Sequence, residues 1–222
     1  MSLSRLVHLC LAASLGISIA ARGSAQSSSS KPSKESSSTV TTAVDDGAVS
    51  NGVYHNKALG LACKVPAGWV LRTEEMNVAD NEGMREKSSP QGTQKNTGDP
   101  HVLLAAFSRP PEARGEDVNS SILIAAEPVS AYPGLKEAAQ YFGPLSEVAK
   151  AQGFSVDEEP YEFALGSRKL VRSDFHKDVG TRVMRQSSLA FLSHGYAVSI
   201  TIIGGAEDEV EELIDGIGLT GK

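Results

Sequence analysis

The chain has 222 residues, with 21 Lys and Arg against 27 Asp and Glu, a formal charge of −6. That shortage of basic side chains excludes a nucleic-acid or anionic-membrane binder, which needs a concentrated Lys/Arg excess. A 40% hydrophobic share and 22% charged residues exclude wholesale disorder.

The first segment reads as an export signal. Arg5 precedes residues 6–21, an uncharged and mostly apolar stretch, and Gly23-Ser24-Ala25 supplies small residues where a signal peptidase cuts. At 1.5 Å per residue this stretch spans about 24 Å, short of the roughly 30 Å of a bilayer core. Residues 1–25 are therefore expected to be a cleaved signal peptide. The protein is then periplasmic or secreted, and an uncleaved signal would tether it to a membrane. His8 and Leu9 are too bulky for Cys10 to be a lipid-attachment site. Loss of the leader removes Arg5 and Arg22 but no acidic residue, so the charge of −6 becomes −8. No later stretch is long and apolar enough to cross a membrane as a helix.

Residues 26–50 hold nine serines and almost no large apolar side chain. Ordering such a segment costs entropy without compensating burial, so it reads as a flexible linker. The folded domain is expected over residues 51–222, large enough to bury about 70% of its extended surface without metals or disulfides.

Residues 53–56 and 59–65 read as two short strands. In the second, period-two alternation places Leu59, Leu61, Cys63 and Val65 on one face and Lys64 on the other. Cys63 is the one cysteine left after leader removal, and its setting reads as a small buried apolar residue rather than a nucleophile. Trp69, the only tryptophan, is either a ligand-stacking platform or a buried anchor at a strand end, and aromatic burial favours the anchor.

Residues 77–100 are rich in Gly, Asn, Ser and charge, too long for an ordinary connection. They read as a mobile insertion rather than a lid, because no catalytic-looking group sits among them. Residues 101–108 and 121–127 are apolar strands ended by prolines. Over residues 135–152 the period changes: Leu135, Ala138, Phe142, Leu145 and Ala149 form a helical stripe. Gly143-Pro144 predicts a kink there, or two short helices, with Gly153 as the C-terminal cap.

Residues 162–165, 168–175, 181–192 and 196–203 then predict an antiparallel meander. A helix over 206–217 closes the chain, its first-turn carboxylates matched to the helix dipole. The expected class is α+β: a mostly antiparallel sheet covered by amphipathic helices.

Signatures of chemistry are few. There is no H-E-x-x-H, C-x-x-C or Walker loop, and the histidines outside the leader are scattered. Gly153-Phe154-Ser155-Val156-Asp157 lacks the second glycine of a nucleophile elbow. No catalytic residue, metal ligand or cofactor is assigned. One polar group stands out. A turn at residues 177–180 would pair Phe175 and His176 with Thr181 and Arg182, bringing Arg172 beside Arg185 with Asp174 adjacent. Two guanidinium groups so placed could hold an anion or a partner's carboxylate. The plainer reading is a solvated sheet face on which Asp174 relieves the repulsion.

Gly52-Val53-Tyr54-His55-Asn56, then Gly60-Leu61 and Val65-Pro66-Ala67-Gly68-Trp69, resemble the opening of the PsbP and DcrB-like family. The later order of strands, helix, meander and terminal helix resembles it too. The resemblance implies an α/β/α sandwich and a non-catalytic accessory or assembly role, with no catalytic residues to carry over. The polar insertion after Trp69 departs from a minimal member. The expected function is thus an exported accessory module that binds another envelope protein. A carrier of a small apolar ligand held between sheet and helix near Trp69 is the alternative. A hydrolase-type enzyme, with a pocket gathering Asp174, His176 and Arg185, comes third.

Overall fold

The computed structural model describes residues 44–78, 100–115 and 117–220. The signal-peptide expectation, most of the linker and residues 79–99 of the polar insertion lie outside the described residues.

Among the described residues eleven strands follow in chain order: β1 Ala48–Ser50, β2 Val53–Asn56, β3 Leu61–Lys64, β4 Val70–Leu71, β5 His101–Phe107, β6 Ser121–Pro128, β7 Ser155–Leu165, β8 Arg168–Val179, β9 Arg182–Ser193, β10 Tyr196–Gly204 and β11 Ile217–Leu219. They form two sheets, ordered β1-β2-β3-β11 and β4-β5-β6-β10-β9-β8-β7. Every pairing is antiparallel. Helix α1 covers Ala138–Ala151 and helix α2 covers Glu207–Asp215. The α+β class follows directly: a sheet that alternates apolar residues on both faces must be covered on both.

Alternation along the strands divides the core. Ile122, Ile124, Val198, Ile200, Ile202, Leu189 and Phe191 point to one face of the large sheet, where α2 and the small sheet cover them. Ala190 and Ala197 point the other way and pack against Tyr141, Phe142, Leu145 and Val148 of α1. Met76, in a helical turn over residues 73–78 that the sequence did not announce, covers Val102, Ala105 and Phe107 nearby. Cys63 is fully buried, as its alternation predicted, and burial pushes its thiol up to about 12.

Several elements differ from expectation. The chain joins the fold before residue 51: β1 pairs with β2 around the Asn51-Gly52 turn, both residues at positive φ. The Tyr54 hydroxyl donates to the Asp46 carbonyl at 2.9 Å, and Val44 packs on the core. The last linker residues are therefore held by backbone pairing, which serine content does not oppose.

Helix α1 is one continuous helix with Pro144 inside it. The missing amide at Pro144 costs about 3 kcal/mol. Buried side chains on both sides of it, Tyr141 and Phe142 before and Leu145, Val148 and Ala149 after, offset that loss. Leu135 precedes the helix, whose start is set by Gln140 Oε1 accepting from the Lys136 and Glu137 amides at 2.8 and 3.2 Å. The other end closes as expected. Gly153 at φ +86 allows its amide to reach Lys150 O at 2.9 Å and that of Phe154 to reach Ala149 O at 3.0 Å.

Ile217 is not helical; α2 ends at Asp215 and Ile217 opens β11 against Cys63. Strand β7 begins at Ser155 rather than 162, carrying Pro160 on a sheet edge where its missing amide does no harm.

Candidate functional site

The meander register decides where the four polar candidates lie. The β8–β9 turn is a two-residue turn at Gly180-Thr181, with Val179 opposite Arg182. The expected four-residue turn at 177–180 does not form, because Gly180 at φ +63 lets the chain reverse more tightly. Arg172 consequently faces Leu189, Asp174 faces Ser187, and His176 faces Arg185. The slip is four residues, an even number, so it leaves Arg172, Asp174, His176 and Arg185 on one face. That face is the one α2 covers.

Arg172 is the centre of the group. It is 7% exposed, so the solvated-face reading is corrected: the guanidinium is buried between the sheet and α2. Nε donates to both Asp174 carboxylate oxygens at 3.0 Å. Nη1 donates to Glu211 Oε2 at 3.2 Å, and Nη2 makes a second, shorter contact with Glu211 Oε1. The planar group also lies 5.2 Å over the Phe163 ring. Burial by itself disfavours the cation. Its hydrogen bonds to Glu211 and the charge of Asp174 more than compensate, and hold the guanidinium above its ordinary value. Arg172 and Arg185 stand on the same face but do not oppose each other in register.

Tyr161 of β7 completes the cluster by donating its hydroxyl to Asp174 Oδ2 at 3.0 Å. Burial, then the Asp174 carboxylate, pushes this phenol up to about 12. His176 contacts Asp157 through Nδ1 at the margin, both side chains about one-third exposed. Arg185 has no carboxylate partner among the described residues. Beside Arg172 opens a cleft of about 290 Å³, lined by Asp157, Glu158, Asp174, Glu207 and Glu211 against two cations, Arg172 and Arg185.

Sequence reasoning missed Tyr161, Phe163 and Glu211. Tyr161 and Phe163 stand two apart in β7, which puts them on the same face, but the acidic start of that strand hid its period. Nothing in the sequence paired Glu211 with an arginine 39 positions earlier.

Trp69 follows the Pro66–Gly68 turn, partly buried against the main core, where it acts as a packing residue at a strand end. The hollow between α1 and the large sheet measures about 20 Å³, room for a single water. No group of three His, Cys, Asp or Glu among the described residues is arranged to hold a metal ion. No helix among them is long and apolar enough to cross a membrane.

A second buried polar group lies on the opposite face. Glu127, 3% exposed, accepts the Tyr141 hydroxyl at 2.5 Å and that of Tyr132, whose rings meet edge to face at 5.3 Å.

No family model matches the sequence, and no curated protein matches it. Solved structures do resemble it. Cyanobacterial PsbP (CyanoP) from Synechocystis is similar over 78% of this chain and 96% of that one, with 14% identity and a TM-score of 0.42. LpqN, involved in cell envelope biogenesis of Mycobacterium tuberculosis, shares 13% identity over 72% and 83%, with a TM-score of 0.36. A protein of unknown function from Pseudomonas aeruginosa, described as a putative regulator, shares 15% identity over 60% and 89%, at a TM-score of 0.37. These are likenesses of fold. One of them is itself a PsbP protein.

Proposed function

We propose that the chain is an exported accessory module of the cell envelope that acts by binding another protein, not by catalysis. The recognition face is the one carrying α2 and the Arg172 cleft. One observation carries this reading: the cleft is open and polar, yet its central cation is locked by Asp174 and Glu211 into a fixed scaffold. A pre-organised polar surface of this kind suits docking, where rigid groups lower the ordering cost of association. Arg5, the apolar residues 6–21 and Gly23-Ser24-Ala25 support export, and the serine-rich residues after them support a tethered domain.

Site-specific photo-crosslinking in the native envelope tests it. A crosslinking residue at Asp208 on α2 is expected to give one discrete adduct, and the same residue at Lys150 on α1 none. Equal adducts from both positions, or no adduct together with a measured turnover, remove the proposal.

A further inference from the structure

The two edges of the large sheet are protected in different ways. At one edge β7 carries Asp157, Glu158, Glu159, Pro160 and Glu162, charges and a proline that discourage pairing with another chain. At the other edge β4 is two residues long and pairs with Phe107 and Ala106 of β5. That leaves the rest of β5 without a strand beyond it. Residues 102–107 hold no charge, proline or glycine, and every one of them is buried. This is the composition of a strand that pairs readily with its own copies.

The helical turn over residues 73–78 closes that edge with side chains. The Arg72 amide donates to the Ala105 carbonyl at 2.9 Å, and the Ala105 amide donates to Thr73 Oγ1 at 3.0 Å. Further along the turn, Asn77 takes both backbone groups of Val102. Its Oδ1 accepts from the Val102 amide at 3.0 Å, and its Nδ2 donates to the Val102 carbonyl at 2.9 Å. A side-chain amide offers the same donor and acceptor as a peptide unit, so Asn77 does the work of one residue of a neighbouring strand. Met76 anchors the turn, buried against Val102, Ala105 and Phe107. The Arg72 guanidinium also bonds Glu75 and Glu112, each at 3.1 Å, but both carboxylates are exposed and such pairs hold weakly. Leu71 and Val78, exposed apolar side chains, bracket the turn.

We propose that residues 73–78 are an edge cap, in which Thr73 and Asn77 stand in for a strand and keep β5 from pairing with β5 of a second copy of this chain. Uncapped, two copies meet antiparallel about a two-fold axis, each satisfying the Val102 and Ala105 groups of the other. Leu71 and Val78 add apolar area to that contact. The cap lies on a different part of the molecule from the α2 face and does not depend on its partner.

The test compares the chain beginning at Gln26 with its Thr73→Val/Asn77→Leu variant by amide exchange and light scattering. The substitutions keep side-chain size but leave the Ala105 amide and both Val102 groups unpartnered, which lifts the turn. In dilute solution, exchange at Val102 and Ala105 is expected to quicken at least about tenfold while β9 and β10 stay protected. As concentration rises, the variant doubles its mass and regains that protection, and the parent chain stays monomeric. Leu71→Lys on the variant background sets like charges at the shared edge and restores the monomer. Thr73→Ser alone keeps an acceptor and changes neither readout. Unchanged exchange at Val102 and Ala105, a variant that is monomeric at every concentration, association undiminished by Leu71→Lys, or a parent chain that already dimerises overturns the proposal. Should the double variant lose protection throughout, Thr73→Val alone carries the same expectations at Ala105 and the same grounds for rejection.

Discussion

Arg172 in β8 and Glu211 in α2 are joined by two hydrogen bonds, Nη1 to Oε2 at 3.2 Å and Nη2 to Oε1, which fasten the helix to the sheet. The arginine end is buried, while the Glu211 side chain is 45% exposed. The two ends therefore differ in what their loss costs. Arg172→Ala leaves Asp174 and Tyr161 without their cation beneath the helix, and is expected to destabilise by about 2–4 kcal/mol. Glu211→Gln keeps an acceptor in a partly solvated place and is expected to cost about 1 kcal/mol or less. Urea midpoints of the two variants check the order; equal losses would mean the pair is not held as a buried-to-exposed gradient.

The N-terminal boundary gives a second test. A chain beginning at Asn51 loses β1, the Val44 contact and the Asp46 carbonyl that receives the Tyr54 hydroxyl. The Asn56 side-chain amide loses its bond to the Asp45 carbonyl as well. The Tyr54 hydroxyl is left without its acceptor, while the Asn56 amide keeps only its 3.3 Å bond to the Tyr54 oxygen, a loss of about 1–3 kcal/mol for a buried group left unpaired. Thermal unfolding is expected to show this chain clearly less stable than one beginning at Val44. Identical melting would return residues 44–50 to the linker.

Stability on the alkaline side follows from the buried acids. Burial raises Cys63 from 9.0 to about 12, and raises Tyr54 from 10.0 to about 12. Tyr132 and Tyr141 are raised further, by burial first and then by the Glu127 charge. In each case the unfolded chain releases its proton at the lower pH. The contribution is intact below the unfolded value and is lost as pH climbs toward the folded one. Urea midpoints are therefore expected to decline from 9.0, where Cys63 starts, and more steeply from 10.0, where the tyrosines join. Cys63→Ala should delay the first decline, and a flat profile up to about pH 11 contradicts the burial of these groups.

The Glu127 cluster predicts a difference between two substitutions. Glu127→Ala strands the hydroxyls of Tyr141 and Tyr132 and opens a gap beneath α1, an expected loss of about 2–4 kcal/mol. Glu127→Gln retains an acceptor oxygen and should lose less than half as much. Chemical denaturation with near-ultraviolet circular dichroism reads both the stability and the tyrosine packing.

How much was legible shows at particular residues. Period and punctuation placed β2 at Val53–Asn56 and set β5, β6 and β10 within a residue or so at each end. The apolar stripe of α1 was equally plain, and Gly153 marked its end. The Asn51-Gly52 pair is a strong signal for a tight hairpin. It went unread because the serine-rich composition before it suggested no strand to pair. For the site, Arg172 was expected beside Arg185 with Asp174 adjacent; in the observed register Arg172 opposes Leu189 and Arg185 opposes His176, although all four stand on one face of the sheet. The reason is parity: a slip of an even number of residues leaves facing unchanged even when every opposing pair is wrong.

Local side-chain order was thus sufficient for the class of fold, most element positions and the burial of Cys63, because helix and strand periods are fixed by nearest neighbours. Tertiary structure alone chose the tight turn at Gly180-Thr181, recruited residues 44–50 into a sheet and buried Arg172 beneath Glu211. Those outcomes depend on which distant surfaces meet when the core closes, and short-range periodicity carries no information about that.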